Sequence, residues 1–354
     1  MYYASAVLAP EGWGPLAAVR SLCAGSNLQW FTGWSNFLGQ VTGPASVDYC
    51  IPFHEHQLMI ACAAMMLAAA AIGNPNYVPQ HYQTFLLTCL LLIIHAAIAS
   101  LHTRFLARFN EVGTVINLIS LVVFLIVTPA ASINTPKTNS ASQVWGTLTN
   151  GTEWPNGLAV LMSFLGVIWT MSGYDAPFHL SEECSNANIA SPRAIIMTSS
   201  LGGILGWFIM LVIGYTVVDV PSVIGSDLGQ PMGSYLLQVL GQKGGLGIFS
   251  LVIISCFFMG QGCMVASSRV IYAYSRDGAL PGSQIWAKVH PWTRTPVYAG
   301  SLSSFIAEIQ SGLMRSSVFF STSSYSLVPL QLARFFRSVL SPSTLPSSLP
   351  SRFE

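Results

Sequence analysis

An acidic side chain inside a strongly apolar stretch is the first feature of this sequence that could do chemistry. Asp175 lies near the end of residues 157–178, in the string Trp-Thr-Met-Ser-Gly-Tyr-Asp-Ala-Pro. Gly173 and Pro177 weaken a helix there, because glycine leaves the backbone unrestricted and proline removes an amide donor. A helix broken at this point exposes backbone amides and carbonyls that could hold a zwitterion or a cation. The alternative is that Asp175 marks only the cytoplasmic end of the apolar stretch.

A second group of polar residues lies in the Gly- and Pro-interrupted stretch at 31–50. Asn36 and Gln40 are four residues apart, so they share one face of a helix, beside Trp34. These two side chains could bind a substrate, or they could hydrogen-bond to a neighbouring helix. His95 is alone on an apolar helix and is expected to be a packed, neutral imidazole.

The composition places these residues in a membrane. Only 8% of the 354 side chains are charged, with 14 Lys and Arg against 13 Asp and Glu, whereas a soluble domain carries about 25%. The mean hydropathy is +0.56. So few charges exclude a cytosolic enzyme, and a net charge of +1 disfavours nucleic-acid binding. The seven cysteines form no CxxC pair, which argues against a zinc site or a disulfide framework. We expect no metal and no cofactor.

Several apolar stretches are long enough to cross a bilayer as helices, which takes roughly 20 residues each. Two weaker stretches could be two spans or one interrupted span, so the count is six or seven. The clear spans are 84–102, 112–132, 157–178, 198–219 and 246–270, and the weaker ones are 31–50 and 57–72.

The distribution of cations predicts the topology, since cytoplasmic loops collect Lys and Arg. Seven cations follow alternate spans and two lie in the remaining loops, which places loops 103–111, 179–197 and 271–297 in the cytoplasm. Loop 133–156 then faces outside, and it contains an N-glycosylation sequon at Asn150. The first 15 residues lack the basic flank and apolar core of a secretory signal, so we expect the first span to direct insertion itself. The seven cations are Arg104, Arg108, Arg193, Arg269, Arg276, Lys288 and Arg294, and the two are Lys137 and Lys243.

Two longer strings carry a resemblance to a known family. The strings SGYDAPFHLSEECSNANIASPRAI and SRDGALPGSQIWAKVHPWTRTPVYAG resemble the sixth helix and the cytoplasmic Arg-Asp-Gly-Ala-Leu-Pro loop of the amino acid/polyamine/organocation permeases. Together with GWSNFLGQVTGPAS, NPNYVPQHYQTFLL and LHTRFLARFNEVG, the sequence is most similar to the fungal amino acid, GABA and choline permeases. The resemblance covers roughly residues 1–300.

The resemblance implies an all-α, multi-pass transporter with a five-plus-five inverted repeat and a substrate held between broken first and sixth helices. Trp169 would cap the substrate. Thr170, Ser172, Gly173 and Tyr174 would offer polar groups. Asp175 would sense protons or balance a substrate ammonium. A gating or structural role in cytoplasmic loops is implied for Glu182, Glu183, Arg193, Arg276, Asp277, Gly278 and Pro281.

The sequence also departs from the family pattern. The family's first two helices have no counterpart, residues 19–29 read as an insertion, and residues 301–354 form a Ser-rich tail, disordered or non-native, where four more helices are expected. We therefore expect a permease domain at 1–300 that covers family helices three to eight of a truncated gene model.

The predicted function is secondary active, proton-coupled transport of amino acids or small amines such as GABA or choline, by alternating access. The plasma membrane is the expected location, with a vacuolar or other endomembrane location as the alternative. An inactive fragment, a receptor or a membrane-embedded enzyme remain as other possibilities, although no HExxH or GxSxG motif supports an enzyme.

Overall fold

A computed structural model describes residues 34, 36–44, 62–74, 76–132, 139–148, 150–152, 154–181, 184, 186–226 and 228–320. The chain divides into two compact units, Met1–Gln310 and Ser311–Glu354, and every contact given below lies within the first unit. The elements in these described ranges are α-helices, with no strand among them. The predicted all-α class is confirmed.

The helices are labelled in chain order after a helical segment at 36–44. They are α1 (Cys62–Gly73), α2 (His81–Ala99), α3 (Thr103–Ser132), α4 (Ala141–Gly146), α5 (Asn156–Thr170), α6 (Ala176–His179), α7 (Ala187–Thr216), α8 (Val220–Ile224), α9 (Pro231–Arg276), α10 (Ser283–Trp286) and α11 (Val297–Phe320).

Four of these helices are long and apolar enough to cross a bilayer, at Tyr82–Ala99, Thr103–Ser132, Ala187–Thr216 and Pro231–Arg276. Shorter apolar helices lie at Cys62–Gly73, Asn156–Ile168 and Val297–Ile309. The protein is therefore an integral, multi-pass membrane protein, as predicted. The span expected at 157–178 is not one continuous helix, because it breaks after Thr170.

All four predicted loops contain helical residues: α4 lies within 133–156, α10 lies within 271–297, and the helices that follow 103–111 and 179–197 begin inside them. Helix α3 begins at Thr103, so residues 103–111 are not a loop, and Arg104 and Arg108 lie in its first turns. Helix α7 begins at Ala187, inside the loop expected at 179–197. The apolar pattern marks only the part of a helix at membrane depth, whereas the backbone hydrogen bonding continues into the polar region.

Helix α9 forms the centre of the described core and packs against α1, α2 and α3. Phe249 and Leu236 of α9 are fully buried, as is Met65 of α1. Gly241 has a φ of 68°, so α9 consists of two helical arms joined at this residue. His95 of α2 is fully buried, with its ring centroid 4.7 Å from that of Phe257, which is the packed position expected for it.

Helices α5 and α7 present apolar side chains that the described residues leave uncovered. Helix α7 buries only Ser191 and Thr216 among the residues that the structure describes. Such surfaces fit lipid or further transmembrane helices. The exposed side chains include Leu161, Phe164, Ile168, Leu201, Ile204, Trp207 and Met210.

The boundary drawn at residue 300 falls inside α11, which continues to Phe320. The rest of the Ser-rich segment, 321–354, lies outside the described residues, as does the insertion expected at 19–29. The division into a permease domain and a tail stays a prediction.

Candidate functional site

The helix break predicted at Gly173 is present. Helix α5 ends at Thr170, turns occupy 171–175, and α6 begins at Ala176. Gly173 has a φ of 85°, in the left-handed region that residues with a side chain rarely adopt, and its carbonyl accepts a hydrogen bond from the amide of Ala176 at 3.0 Å. Pro177 is the second residue of α6, where a missing amide hydrogen costs little.

The carboxylate of Asp175 joins two elements at this break. Its Oδ2 accepts a hydrogen bond from Nε2 of Gln40 at 3.4 Å and lies 3.2 Å from Nε2 of His179. Gln40 and Asp175 are 135 residues apart in sequence. The side chain of Asp175 is 36% exposed and that of His179 is 11% exposed. The carboxylate of Asp175 is therefore partly exposed and contacts two nitrogen atoms.

Packing on α9 places Gln40 next to the break. Phe37 and Val41 are buried in one cluster with Ile271 of α9, and the ring centroids of Phe37 and Tyr274 are 5.0 Å apart. These contacts hold one side of the 36–44 segment against α9. Gln40 is half-buried and points from that segment to Asp175. The interhelical hydrogen bond considered from the sequence is thus present, and it joins two of the predicted site residues.

The structure also describes most of the other predicted binding residues. Ser172 and Tyr174 are exposed within the turn, and Asn36 is half-buried one helical turn before Gln40. The hydroxyl of Thr170 donates to the carbonyl of Gly166 at 2.8 Å, so this hydroxyl is already hydrogen-bonded to the backbone of α5. Trp169 lies in the last turn of α5, and its side chain lies outside the described residues.

The Arg-Asp-Gly-Ala-Leu-Pro string ends helix α9. Gly278 has a φ of 73° and donates to the carbonyl of Ser275 at 3.0 Å, while Ala279 donates to that of Tyr274 at 2.9 Å. This pair of bonds is the Schellman motif, which satisfies the last carbonyls of a helix. Pro281 follows and cannot continue the helix, and its carbonyl accepts from the Trp286 indole at 3.0 Å.

The charged residues of the loop motifs lie at the surface. Arg276 is 3.6 Å from the carboxylate of Asp277, and its guanidinium lies 5.8 Å from the ring centroid of Tyr272. Arg193 is exposed on α7. Glu182 and Glu183 lie outside the described residues. These contacts are distant in sequence from the helix break and stabilise the end of α9.

Hydrogen bonds between loops agree with the alternation of the predicted topology. Thr295, fully buried, donates from its hydroxyl to the carbonyl of Ser100 at 2.9 Å, which puts the loops after α2 and before α11 on one side. Asn139 donates from Nδ2 to the carbonyls of Gly214 and Val217, each at 2.8 Å. The segment before α4 and the end of α7 therefore share a side as well.

Sequence reasoning missed two residues with ionisable side chains. His179 is four residues after Asp175, and this i,i+4 spacing was the available signal. Glu308 is half-buried on α11 and close enough to Cys89 of α2 to interact with it electrostatically. The apolar run Val297–Ile309 could have indicated the helix that carries Glu308. The many serines around this run led instead to the prediction of a tail.

Comparison with known proteins identifies the family to which this site belongs. A family model described as amino acid permease matches residues 2–333. The chain belongs to the amino acid permease family. This membership agrees with the resemblance read from the helix-break and loop motifs.

Relatives of this chain occur in fungi and plants. An uncharacterised amino-acid permease of Schizosaccharomyces pombe is 51% identical over 298 residues, which are 84% of this chain and 51% of the relative. A Candida albicans protein named as a candidate polyamine transporter is 44% identical over 292 residues, 80% of this chain and 51% of that protein. An Arabidopsis thaliana amino-acid permease is 28% identical over 323 residues, 87% of this chain and 58% of that protein. The chain spans about half the length of the fungal relatives it matches.

Proposed function

We propose that the protein containing this chain is a proton-coupled secondary transporter of amino acids or related small amines. The observation that carries this proposal is the half-buried carboxylate of Asp175 at a broken helix, held by Gln40 from a separate element. An acid at membrane depth costs free energy unless it is paired or protonated. Such a group is suited to binding a cation and to taking up a proton.

The proposed chemistry uses the two states of one carboxylate. When Asp175 is ionised, it attracts the ammonium group of a substrate, while the turn at Ser172, Gly173 and Tyr174 offers backbone and side-chain polar groups to the remainder. When Asp175 is protonated, the attraction between full charges is lost and the substrate is released more easily. The turn at 171–175 lets α5 and α6 move as separate pieces, which alternating access requires. Trp169 would cap the substrate.

The proposed substrate class rests on the carboxylate of Asp175 and on the names of the relatives. An ammonium group is common to amino acids, GABA and polyamines, and choline carries a quaternary ammonium. The Candida albicans relative is named as a candidate polyamine transporter. We propose the plasma membrane as the location, with a vacuolar or other endomembrane as the alternative. For the loop residues Arg276, Asp277, Gly278 and Pro281, the helix cap favours a structural role over a gating role.

Uptake measurements test this proposal. The longest native product that contains this sequence would be expressed in permease-deficient fungal cells and assayed with labelled amino acids, GABA, putrescine and choline. Saturable uptake of at least one amine is expected, with a rate that changes when a protonophore is added and when the external pH is changed. Saturable uptake that is indifferent to both treatments would remove proton coupling, and background uptake of all amines would remove the transport proposal.

A second candidate is that the 354-residue chain itself is inactive. The uncovered apolar surfaces of α5 and α7 favour it, because in a complete inverted-repeat transporter other helices and lipid cover such surfaces. The chain's coverage of about half of its fungal relatives points the same way. Parallel expression of the 354-residue chain and the longest native product distinguishes the two candidates.

A further inference from the structure

The loop between α9 and α11 carries three large apolar side chains that are not buried in the described core. Ile285, Val289 and Trp292 are 49%, 44% and 84% exposed, and we call them the loop patch. A single exposed apolar residue needs no explanation. Three of them within eight residues of one loop form a surface that favours an apolar partner. Tryptophan contributes most of this surface, because its ring is the largest apolar group of the three.

The turn that carries Trp292 is closed by backbone hydrogen bonds. The amide of His290 donates to the carbonyl of Thr295 at 3.1 Å, and the amide of Arg294 donates to the carbonyl of His290 at 2.9 Å. Trp292 lies between these partners in the chain, so the closed turn sets its position. Because the backbone is already ordered, binding through this side chain costs little further backbone entropy.

The same turn is attached to the end of a membrane span. The hydroxyl of Thr295 donates to the carbonyl of Ser100 at 2.9 Å, and Ser100 follows directly after the apolar helix Tyr82–Ala99. Trp292 is three residues from Thr295, so their Cα atoms are at most about 11 Å apart. The headgroup region adds about 5–8 Å on each side of the hydrocarbon core. The turn therefore holds the indole ring within reach of the lipid headgroups.

The charge of the loop complements that of one membrane leaflet. Residues 278–297 contain Lys288 and Arg294 and no acidic residue, and both cations are exposed. The cation distribution predicts that this loop is cytoplasmic, and the cytoplasmic leaflet carries anionic lipids. Exposed apolar side chains beside exposed cations are the combination by which protein segments bind to such a leaflet.

We propose that the loop patch inserts into the headgroup region of the cytoplasmic leaflet while Lys288 and Arg294 bind anionic lipid headgroups. Trp292 then lies at the headgroup level, which suits a ring with a large apolar face and one N–H donor. The bilayer is favoured over a soluble protein partner because the loop continues at both ends into apolar helices, from Arg276 and into Val297, which keep it at the membrane. This lipid-binding surface goes beyond the proposed transport function and does not involve Asp175.

Fluorescence of Trp292 in nanodiscs tests the inserted position. The longest native product would be reconstituted in phosphatidylcholine with and without phosphatidylserine. The emission of Trp292 is the difference between the wild-type protein and Trp292→Phe, a variant that removes no buried side chain. Lipids brominated near the top of their acyl chains quench an inserted ring, whereas acrylamide, a neutral molecule, quenches a ring in water. With phosphatidylserine present, we expect strong quenching by the brominated lipids and weak quenching by acrylamide.

The double variant Lys288→Gln, Arg294→Gln tests the contribution of charge. Attraction to an anionic leaflet changes the ratio of inserted to free loop by about fivefold for each cation. In discs with phosphatidylserine the double variant should therefore lower this ratio by about twentyfold to thirtyfold, and brominated lipids should quench less of the Trp292 emission. In phosphatidylcholine alone it should behave as the wild-type protein does. Lys243→Gln, at an exposed cation outside the loop, is the matched control and should change neither.

Three results would overturn the inference. Quenching of Trp292 by acrylamide in every disc, with no effect of brominated lipids, would place the ring in water. Shielding from both quenchers would show that another part of the protein covers the ring. Equal insertion with and without phosphatidylserine, unchanged in the double variant, would show that the cations do not bind lipid. None of these readouts depends on transport, so the proposed function and this inference can fail separately.

Discussion

A close approach of α3 to α9 at Gly113 predicts a measurable effect for a small substitution, Gly113→Ala. A Cβ atom at position 113 would lie 2.8 Å from Cγ and 2.9 Å from Cε1 of Phe258, and nearer still to Cδ1. The ring of Phe258 has little room to move, because its centroid is 5.1 Å from that of Phe109 and 5.9 Å from that of Phe257. Glycine thus permits this close approach of two transmembrane helices.

The expected magnitude follows from two opposing terms. Overpacking a well-packed contact costs typically about 1–3 kcal/mol, while replacing glycine by alanine inside a helix gains about 0.8–1 kcal/mol. The packing term is the larger because the ring of Phe258 already packs against Phe109 and Phe257. Gly113→Ala should therefore lower the free energy of unfolding by up to about 2 kcal/mol, and the unfolding temperature by up to a few degrees.

Thermal unfolding of the detergent-purified protein measures this effect, with two comparison variants. Gly247→Ala introduces a methyl group in α9 where no other atom lies within 4 Å, so it should be neutral or slightly stabilising. Phe258→Leu should make room for the new methyl group, so the double variant should lose less than the sum of the two single variants. If Gly113→Ala unfolds at the same temperature as Gly247→Ala, or if the double variant is strictly additive, the described α3–α9 packing is wrong.

Three further predictions concern the loops and the chain as a whole. Gly278→Ala should lower the free energy of unfolding by about 1–2 kcal/mol, because its φ of 73° is strained for alanine; unchanged thermal unfolding would contradict the helix cap. Single cysteines introduced near Asn150 should react with a reagent applied outside the cell, and cysteines near Lys288 should not; the reverse pattern would invert the topology. The 354-residue chain expressed alone should give background uptake of GABA, choline and common amino acids, and saturable uptake would show that this chain is sufficient for transport.

The helix break could be predicted from the sequence because its causes are local. Gly173 adopts a backbone conformation that glycine allows, and Pro177 needs no amide hydrogen bond in the first turn of α6. The residue types at these two positions are therefore enough to predict the helix break. The cap at Gly278 is local in the same way, so the loop motif marked the end of α9.

The contacts of Asp175 could not be predicted because they depend on packing. Gln40 is 135 residues away, and its position follows from the burial of Phe37 and Val41 against α9. Helical periodicity predicted which face of its helix Gln40 occupies, but it could not predict which residue Gln40 contacts. The contact with His179 could have been predicted from its spacing, since His179 lies one helical turn after Asp175.

Helix ends and the last described helix differ from the hydropathy pattern for a common reason. Hydropathy follows apolar surface, whereas a helix continues as long as its backbone hydrogen bonds do. Helices α3 and α7 therefore begin 9 and 11 residues before their predicted spans at 112 and 198. Helix α11 carries several serines and Glu308 within an otherwise apolar run, which concealed its start at Val297.

The most direct test of the central claim is the affinity of the Asp175→Asn variant for amines. Asparagine keeps the shape of the side chain and removes its charge, so the ammonium loses its counter-charge. Equilibrium binding of GABA and putrescine to the purified longest native product should weaken at least about tenfold. Uptake at equal surface expression should fall and lose its pH dependence. Glu111→Gln, at an exposed acid of α3, should leave both unchanged. If Asp175→Asn binds and transports amines as the wild-type protein does, with the same pH dependence, Asp175 is only a boundary residue and the proposed site is wrong.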